Sequence, residues 1–214
     1  LACYGQESVY IPYGAPLLGD LRTGCLEAYG LRPYSYYMLM ARFQKDNNIE
    51  MILDGYVSSQ RKDPFIVIGG HQNKYGEYLL TKYKAYSGIR FLGEIYKDDV
   101  TNPLRCYSKL YFHGHSVGGT NPSLLEAMAA NAFIAAHDNP FNRFVLEGNA
   151  YYFSSSEEVA ILIKNFSEKE KQIFLKNNFE KIKKVYQWDK VGAAYLRVFE
   201  NALEIRKNNG ERIC

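Results

Sequence analysis

Leu110-Tyr111-Phe112-His113-Gly114-His115-Ser116-Val117-Gly118-Gly119-Thr120-Asn121-Pro122-Ser123-Leu124-Leu125-Glu126-Ala127-Met128-Ala129 is the stretch from which the fold is read. It opens as a buried strand ending at His113 and continues as a glycine-containing loop. Asn121 then caps a helix whose first position is Pro122, where a missing N–H costs nothing. A glycine loop that feeds a helix N-terminus presents unpaired backbone N–H groups and the positive end of the helix dipole. It therefore suits an anion such as a diphosphate. In an open parallel sheet such ligands sit beyond the C-terminal ends of the strands, which is where this loop lies. The spacing is neither the dinucleotide fingerprint nor a Walker A loop, so the residues alone also allow a generic strand-to-helix turn.

Outward from this stretch, short apolar runs recur: Tyr36 to Ala41, Phe65 to Gly69, Ile89 to Gly93, Lys109 to His113 and Ala132 to Ala136. Segments with helical spacing lie between them, at Ile49 to Ser58, Tyr75 to Tyr86, Asp99 to Tyr107 and Pro122 to Ala130. This alternation predicts an α/β fold, a Rossmann-like parallel sheet with helices on both faces. The runs are apolar throughout, as in strands buried on both sides. A sixth strand, Ala150 to Phe153, precedes Ser155-Ser156-Glu157-Glu158, a capping-box pattern, and a second box at Ser167 to Glu170 opens a long basic helix. The last helix, Trp188 to Arg206, places Val191, Tyr195, Val198, Phe199 and Ala202 on one apolar stripe. The first 33 residues read as linker, because Pro12, Gly14, Pro16, Gly19, Gly24, Gly30 and Pro33 interrupt any regular element after a strand-like Ser8-Val9-Tyr10-Ile11-Pro12. With Leu1 in place of Met, the chain reads as beginning within a longer protein.

The 214 residues suffice for one large domain. A net charge of +3, with cations spread along the chain, provides no concentrated basic stripe and speaks against nucleic acid as a partner. Cys3, Cys25, Cys106 and Cys214 show no metal-ligand spacing and fit free thiols in a reducing cytosol. No apolar run reaches the roughly 20 residues of a membrane span.

The segment Gly118 to Ala129 resembles the signature of the large retaining glycosyltransferase family, family 4, with the GT-B fold, in which two glutamates eight positions apart precede Ala-Met-Ala. Further segments follow in the order that family requires. Tyr10-Ile11-Pro12-Tyr13-Gly14-Ala15 resembles its interdomain Ile-Pro-Asn-Gly-Val, and Tyr37 to Phe43 its strand ending in Gly-Arg-Leu. Phe65 to Gly70 resembles its Val-Gly-x-Gly, Arg90 to Gly93 its Phe-Leu-Gly, and Tyr186 to Asp189 its Phe-Ser-Trp-Glu turn. The wording His-Gly-His-Ser-Val-Gly-Gly-Thr-Asn-Pro resembles a bacterial branch of rhamnosyltransferases of surface polysaccharide synthesis.

The resemblance implies one half of a GT-B enzyme: residues 1–33 as interdomain linker and remnant of the N-terminal domain, 34–187 as the nucleotide-sugar-binding domain, and 188–214 as a helix packing back toward the N-terminal domain. It implies Arg42 at the donor diphosphate and Glu126 on the ribose hydroxyls as the catalytic pair. Backbone amides around Gly118, Gly119, Thr120, Asn121, Leu124 and Leu125 would bind sugar and phosphate oxygens. Gly69, Gly70 and His71 would close the same cleft, with Ile95 and Tyr96 at the base and His113 and His115 flanking the loop. Two positions depart from the pattern: the first glutamate falls on Gly118, and the diphosphate-binding lysine on Asn47. No Asp-x-Asp occurs, so no metal is expected; the co-substrate is a nucleoside-diphosphate sugar and there is no further cofactor.

The acceptor, a glycan or a lipid-linked saccharide, would come through the N-terminal domain of a cytoplasmic protein associated peripherally with the inner face of the membrane. Alone, this chain is expected to bind donor without transferring sugar. A noncatalytic nucleotide-sugar-binding domain and a nucleotide-sugar 2-epimerase are the alternatives.

Overall fold

The computed structural model describes residues 8–208. In chain order the elements are α1 (Gly24–Glu27), β1 (Tyr37–Met40), α2 (Ile49–Ser59), β2 (Phe65–Ile68), α3 (Lys74–Lys82), β3 (Ile89–Gly93), α4 (Asp98–Cys106) and β4 (Leu110–His113). There follow α5 (Pro122–Ala129), β5 (Ile134–His137), α6 (Pro140–Leu146), β6 (Tyr151–Phe153), α7 (Ser156–Asn165), α8 (Lys171–Lys181) and α9 (Trp188–Asn208). All the strands pair in parallel, in one six-stranded sheet ordered β3-β2-β1-β4-β5-β6. The order reverses between β1 and β4, and loops leaving those two strands part to open a crevice at the C-terminal edge.

Side chains alternate between the two faces of each strand. Met38, Ile66, Ile68, Tyr111, Ile134 and Ala136 enter one buried cluster with Leu124, Ala127 and Met128 of α5. Tyr37, Leu39, Phe65, Val67, Phe112, Phe133 and Ala135 enter a second, with Ile49, Ile52 and Leu53 of α2 and Val159 and Ile163 of α7. Burial on both faces is the physical reason that these runs lack polar alternation.

The predicted elements form, with four corrections. The fifth strand starts at Ile134 and not Ala132, because α5 ends in a Schellman motif. Asn131 sits in the left-handed region (φ 53°), its N–H bonds Met128 O at 3.1 Å, and the Ala132 N–H bonds Ala127 O at 2.9 Å. Helix α3 stops at Lys82, its Asn73 cap accepting from the Gly76 N–H at 2.8 Å. Ser8 to Pro12 forms no strand. Finally, the leader is more ordered than linker chemistry suggests: α1 forms, Leu26 and Leu31 are buried in the first cluster, and Tyr107 Oη donates to Leu21 O at 2.6 Å. Hydrophobic burial of two leucines outweighs the backbone freedom of the neighbouring glycines.

Both serines act as caps, but only the first of the two predicted boxes closes: the Ser167 N–H donates to Tyr151 Oη at 3.2 Å and not to Glu170, ahead of a short 3-10 turn that precedes α8. Ser155 Oγ accepts from the Glu158 N–H at 3.2 Å, and Glu158 reaches back one residue further than the standard box, to the Ser154 N–H at 2.6 Å. Ser167 Oγ accepts from the Lys169 N–H at 3.2 Å. At the far end, the Ala15 N–H donates to Tyr186 O at 2.7 Å, and a side chain on Gly14 would collide with the Trp188 ring. The leader and the start of α9 are thereby fastened side by side. Beyond Val191, which is buried, the predicted α9 stripe leaves Tyr195, Phe199 and Ala202 exposed. Cys25 and Cys106 are half-buried free thiols, whereas Cys3 and Cys214 lie outside the described residues.

Candidate functional site

At the reversal point a cleft of about 350 Å³ is lined by Met40, Ala41 and Arg42 at the end of β1 and by Ile68, Gly69 and Gly70 at the end of β2. Glu94, Ile95 and Tyr96 after β3, His115 after β4, and Asn121, Pro122, Ser123, Glu126 and Arg105 complete it. Eight of the residues expected from sequence therefore meet here: Arg42, Gly69, Gly70, Ile95, Tyr96, His115, Asn121 and Glu126. Arg42 is exposed, and among the described residues its guanidinium makes no ion pair. It is therefore free to receive an anion with charge-assisted bonds.

The glycine-containing loop is braced from below. Asn48 Nδ2 donates to Gly114 O at 2.8 Å, and Ser116 donates from its N–H (2.9 Å) and its hydroxyl (2.8 Å) to Asp46 O. His115 O accepts from Asn139 and Asn142, each at 3.0 Å. Gly114 must be glycine, because a Cβ there would press into Asn47 O and Ile52 Cδ1. Beyond this anchored base, Gly118 has φ 110° and opens to solvent with Gly119. Among the described residues, no backbone partner engages the N–H groups of residues 117–121.

The structure corrects several assignments. The Leu124 and Leu125 N–H groups already bond Asn121 O at 3.1 and 3.2 Å, and their side chains are fully buried, so neither amide faces a ligand. Asn47 is buried and donates to Arg42 O at 2.7 Å; it holds the β1 loop and does not replace the diphosphate lysine. His71 packs its ring on Phe43, outside the lining. Gly118, Gly119 and Thr120 fall outside the lining, Thr120 Oγ1 sharing a hydrogen with Tyr10 Oη. His113 is wholly buried beneath the cleft, stacked on His115 at 4.4 Å between centroids. Among the described residues no group of three or more His, Cys, Asp or Glu is placed to hold a metal ion, and no helix is long and apolar enough to cross a membrane.

Glu94 and Arg105 are the lining residues with chemistry that sequence reading passed over. Arg105 ends a run of five consecutive buried residues in α4, Thr101 to Arg105, so no helical periodicity in the sequence marks it.

The two stacked imidazoles are neutral at physiological pH. Burial, together with His115, Arg105 and His137, drives His113 well below its ordinary value. Burial pushes His115 down to about 4, with Arg42 acting in the same direction and Asp46 against it. An unfolded chain protonates these rings near pH ~6.5. Between that pH and about 4 the unfolded state therefore binds more protons, and stability falls as pH falls. We expect the melting temperature to drop from pH 7 to pH 5 at constant ionic strength, and less steeply in His115→Phe. An identical pH dependence in the variant would rule this contribution out.

No family model matches the chain, and no curated protein matches it. Solved structures do. Sucrose-phosphate synthase from Thermosynechococcus elongatus superposes with a TM-score of 0.76 at 16% identity over 91% of this chain and 52% of that one. HepE from Anabaena, solved with UDP and glucose, gives 0.72 at 12% identity over 84% and 52%. The C-terminal domain of a group 1 glycosyltransferase, LpcC from Francisella tularensis, gives 0.63 at 18% identity over 83% of this chain and 97% of that domain. The chain thus spans about half the length of the first two. Its fold is the Rossmann-like α/β fold found in one half of GT-B glycosyltransferases.

Proposed function

We propose that this chain is the donor-binding half of a retaining, family 4-type glycosyltransferase that transfers a sugar from a nucleoside-diphosphate donor. The observation that carries the reading is the convergence of Arg42, Glu126 and Asn121 in one crevice at the sheet's reversal point, next to a loop, residues 117–121, whose N–H groups have no backbone partner among the described residues.

As the glycosidic bond to the leaving diphosphate breaks, negative charge grows on the phosphate oxygens. Preorganised donors aimed at that charge are the effective catalysts. Arg42 supplies the fixed cation, the α5 N-terminus supplies its dipole, and the loop before it, residues 117–121, supplies N–H groups without a backbone partner. Glu126 accepts from the pentose hydroxyls, and Ile95 and Tyr96 lie beside the base. In this reading the donor is the co-substrate, no further cofactor is needed, and Arg42 with the helix end does the work of a metal.

The sugar is rhamnose on the strength of the Gly118 wording, since a 6-deoxy sugar has fewer hydroxyls for the missing carboxylate to hold. The acceptor is a glycan or lipid-linked saccharide of bacterial surface polysaccharide, bound by an N-terminal domain at the inner face of the membrane. Domain closure would complete the site. A noncatalytic nucleotide-sugar-binding domain is the second reading, favoured by the buried Asn47, which leaves one donor cation unsupplied.

Calorimetric titration with UDP, GDP, dTDP and dTDP-rhamnose tests the proposal. Binding selective for one base is expected. If a folded sample, both alone and joined to an N-terminal domain, binds none of them, the reading is wrong; binding without turnover by the joined protein selects the noncatalytic alternative.

A further inference from the structure

Beneath Glu126 lies a cation that the donor site as described does not use. Arg105 sits near the end of α4 with a side chain only 2% exposed, although that of Glu126, its partner, is 44% exposed. Its Nη2 donates to Glu126 Oε2 at 2.6 Å and approaches Met40 Sδ at 3.1 Å. Its Nη1 donates to Asn102 Oδ1 at 2.8 Å, and Asn102 is itself buried. The Nε and the neighbouring Tyr111 hydroxyl are buried without a partner among the described residues. The planar guanidinium is thus held by its two forks, one on its own helix and one on α5.

A buried ion pair is weak ground for a stability argument, because desolvation offsets much of its attraction. Its geometry is more informative. One carboxylate oxygen is turned down onto a fixed donor, and the half-exposed side chain carries the other at the cleft lining. A glutamate side chain has several rotatable bonds, and fixing it before a ligand arrives removes an entropic cost from binding.

We propose that Arg105, itself held by Asn102, is a positioning residue that locks Glu126 in the orientation that receives the pentose hydroxyls of the donor. This rests on the nucleotide-sugar reading of the cleft. Arg105 acts through Glu126 and touches no substrate.

The test compares dissociation constants for UDP and dTDP with those for their 2′,3′-dideoxy counterparts, in the wild-type protein and in Arg105→Met, Arg105→Lys and Asn102→Ala. A hydroxyl donating to a carboxylate should give the wild type a preference of about tenfold or more for the hydroxylated nucleotide. In Arg105→Met that ratio should fall to within about twofold while dideoxynucleotide affinity stays unchanged, and Arg105→Lys should restore part of it. Asn102→Ala, which frees one fork without removing the buried cation, should fall between and covers the case in which Arg105→Met does not fold.

If Arg105→Met weakens both nucleotides of a pair equally, or keeps the wild-type ratio, the positioning role is overturned while the donor-site reading stands. Binding by the wild type with no preference for the hydroxyls overturns the role of Glu126 and, with it, that of Arg105. Failure of the wild type to bind these four nucleotides and GDP, both alone and joined to an N-terminal domain, overturns the donor-site reading itself.

Discussion

Glu126→Ala is expected to lose both donor affinity and stability, through two separable mechanisms. In the proposed donor site the carboxylate accepts charge-assisted hydrogen bonds from pentose hydroxyls, and their loss should weaken nucleoside-diphosphate binding by about ten- to a hundredfold. The stability effect arises on the other side of the residue, where Arg105 would be left buried without its counter-charge. Removing one partner of a fully buried pair costs about 3–5 kcal/mol. Glu126 is half exposed, and solvent screening reduces that to about 2 kcal/mol. For a chain of this size the melting temperature should fall by roughly 4–8 °C. Glu126→Gln keeps an oxygen for Arg105 and should recover much of the stability with less of the affinity. Thermal melts paired with titrations separate the two effects, and a Glu126→Ala protein that binds donor at full strength would remove this residue from the site.

Gly55→Ala should destabilise the fold, although alanine is the better helix former by about 1 kcal/mol. Gly55 lies in the middle of α2 where that helix meets α7. A Cβ there would stand 2.5 Å from Val159 Cβ and 2.6 Å from Ser156 O, so the two helices would have to separate. Overpacking of this kind costs about 1–3 kcal/mol, more than the propensity gain. Net of that gain the loss is up to about 2 kcal/mol, and the melting temperature should fall by up to about 8 °C. Gly192 in α9 is the control, because nothing lies within 4 Å of a Cβ built there. Gly192→Ala should therefore stabilise by about 0.5–1 kcal/mol. Equal shifts of the same sign at the two positions would contradict the close α2–α7 approach.

The architecture was legible because its signals are local. Apolar runs of strand length, Asn121-Pro122 at a helix start and the Ser155 and Ser167 caps each depend on neighbours within a few residues. Boundaries were less so: the strand beginning at Ile134 follows a left-handed Asn131, and composition does not distinguish the last helical turn from the first strand residue. Eight of the expected residues line one cleft because each follows a strand or stands at the start of α5, and a parallel sheet brings such positions together.

What the sequence by itself determined is the α/β order, the glycine-containing loop between β4 and α5, and the places of Arg42 after β1 and Glu126 in α5. What only the tertiary structure decided is which polar groups are already occupied. The Leu124 and Leu125 amides, Asn47 and His113 have the right chemistry at the right sequence positions, yet bonding to Asn121 and Arg42, or complete burial, withdraws them from the cleft. Arg105 is the converse: 21 residues from Glu126 along the chain, it becomes part of the site because α4 and α5 pack together beneath the cleft. Hydrogen-bond capacity is finite and burial is a property of the whole fold, so whether a side chain is available to a ligand is settled by distant contacts that sequence spacing does not encode.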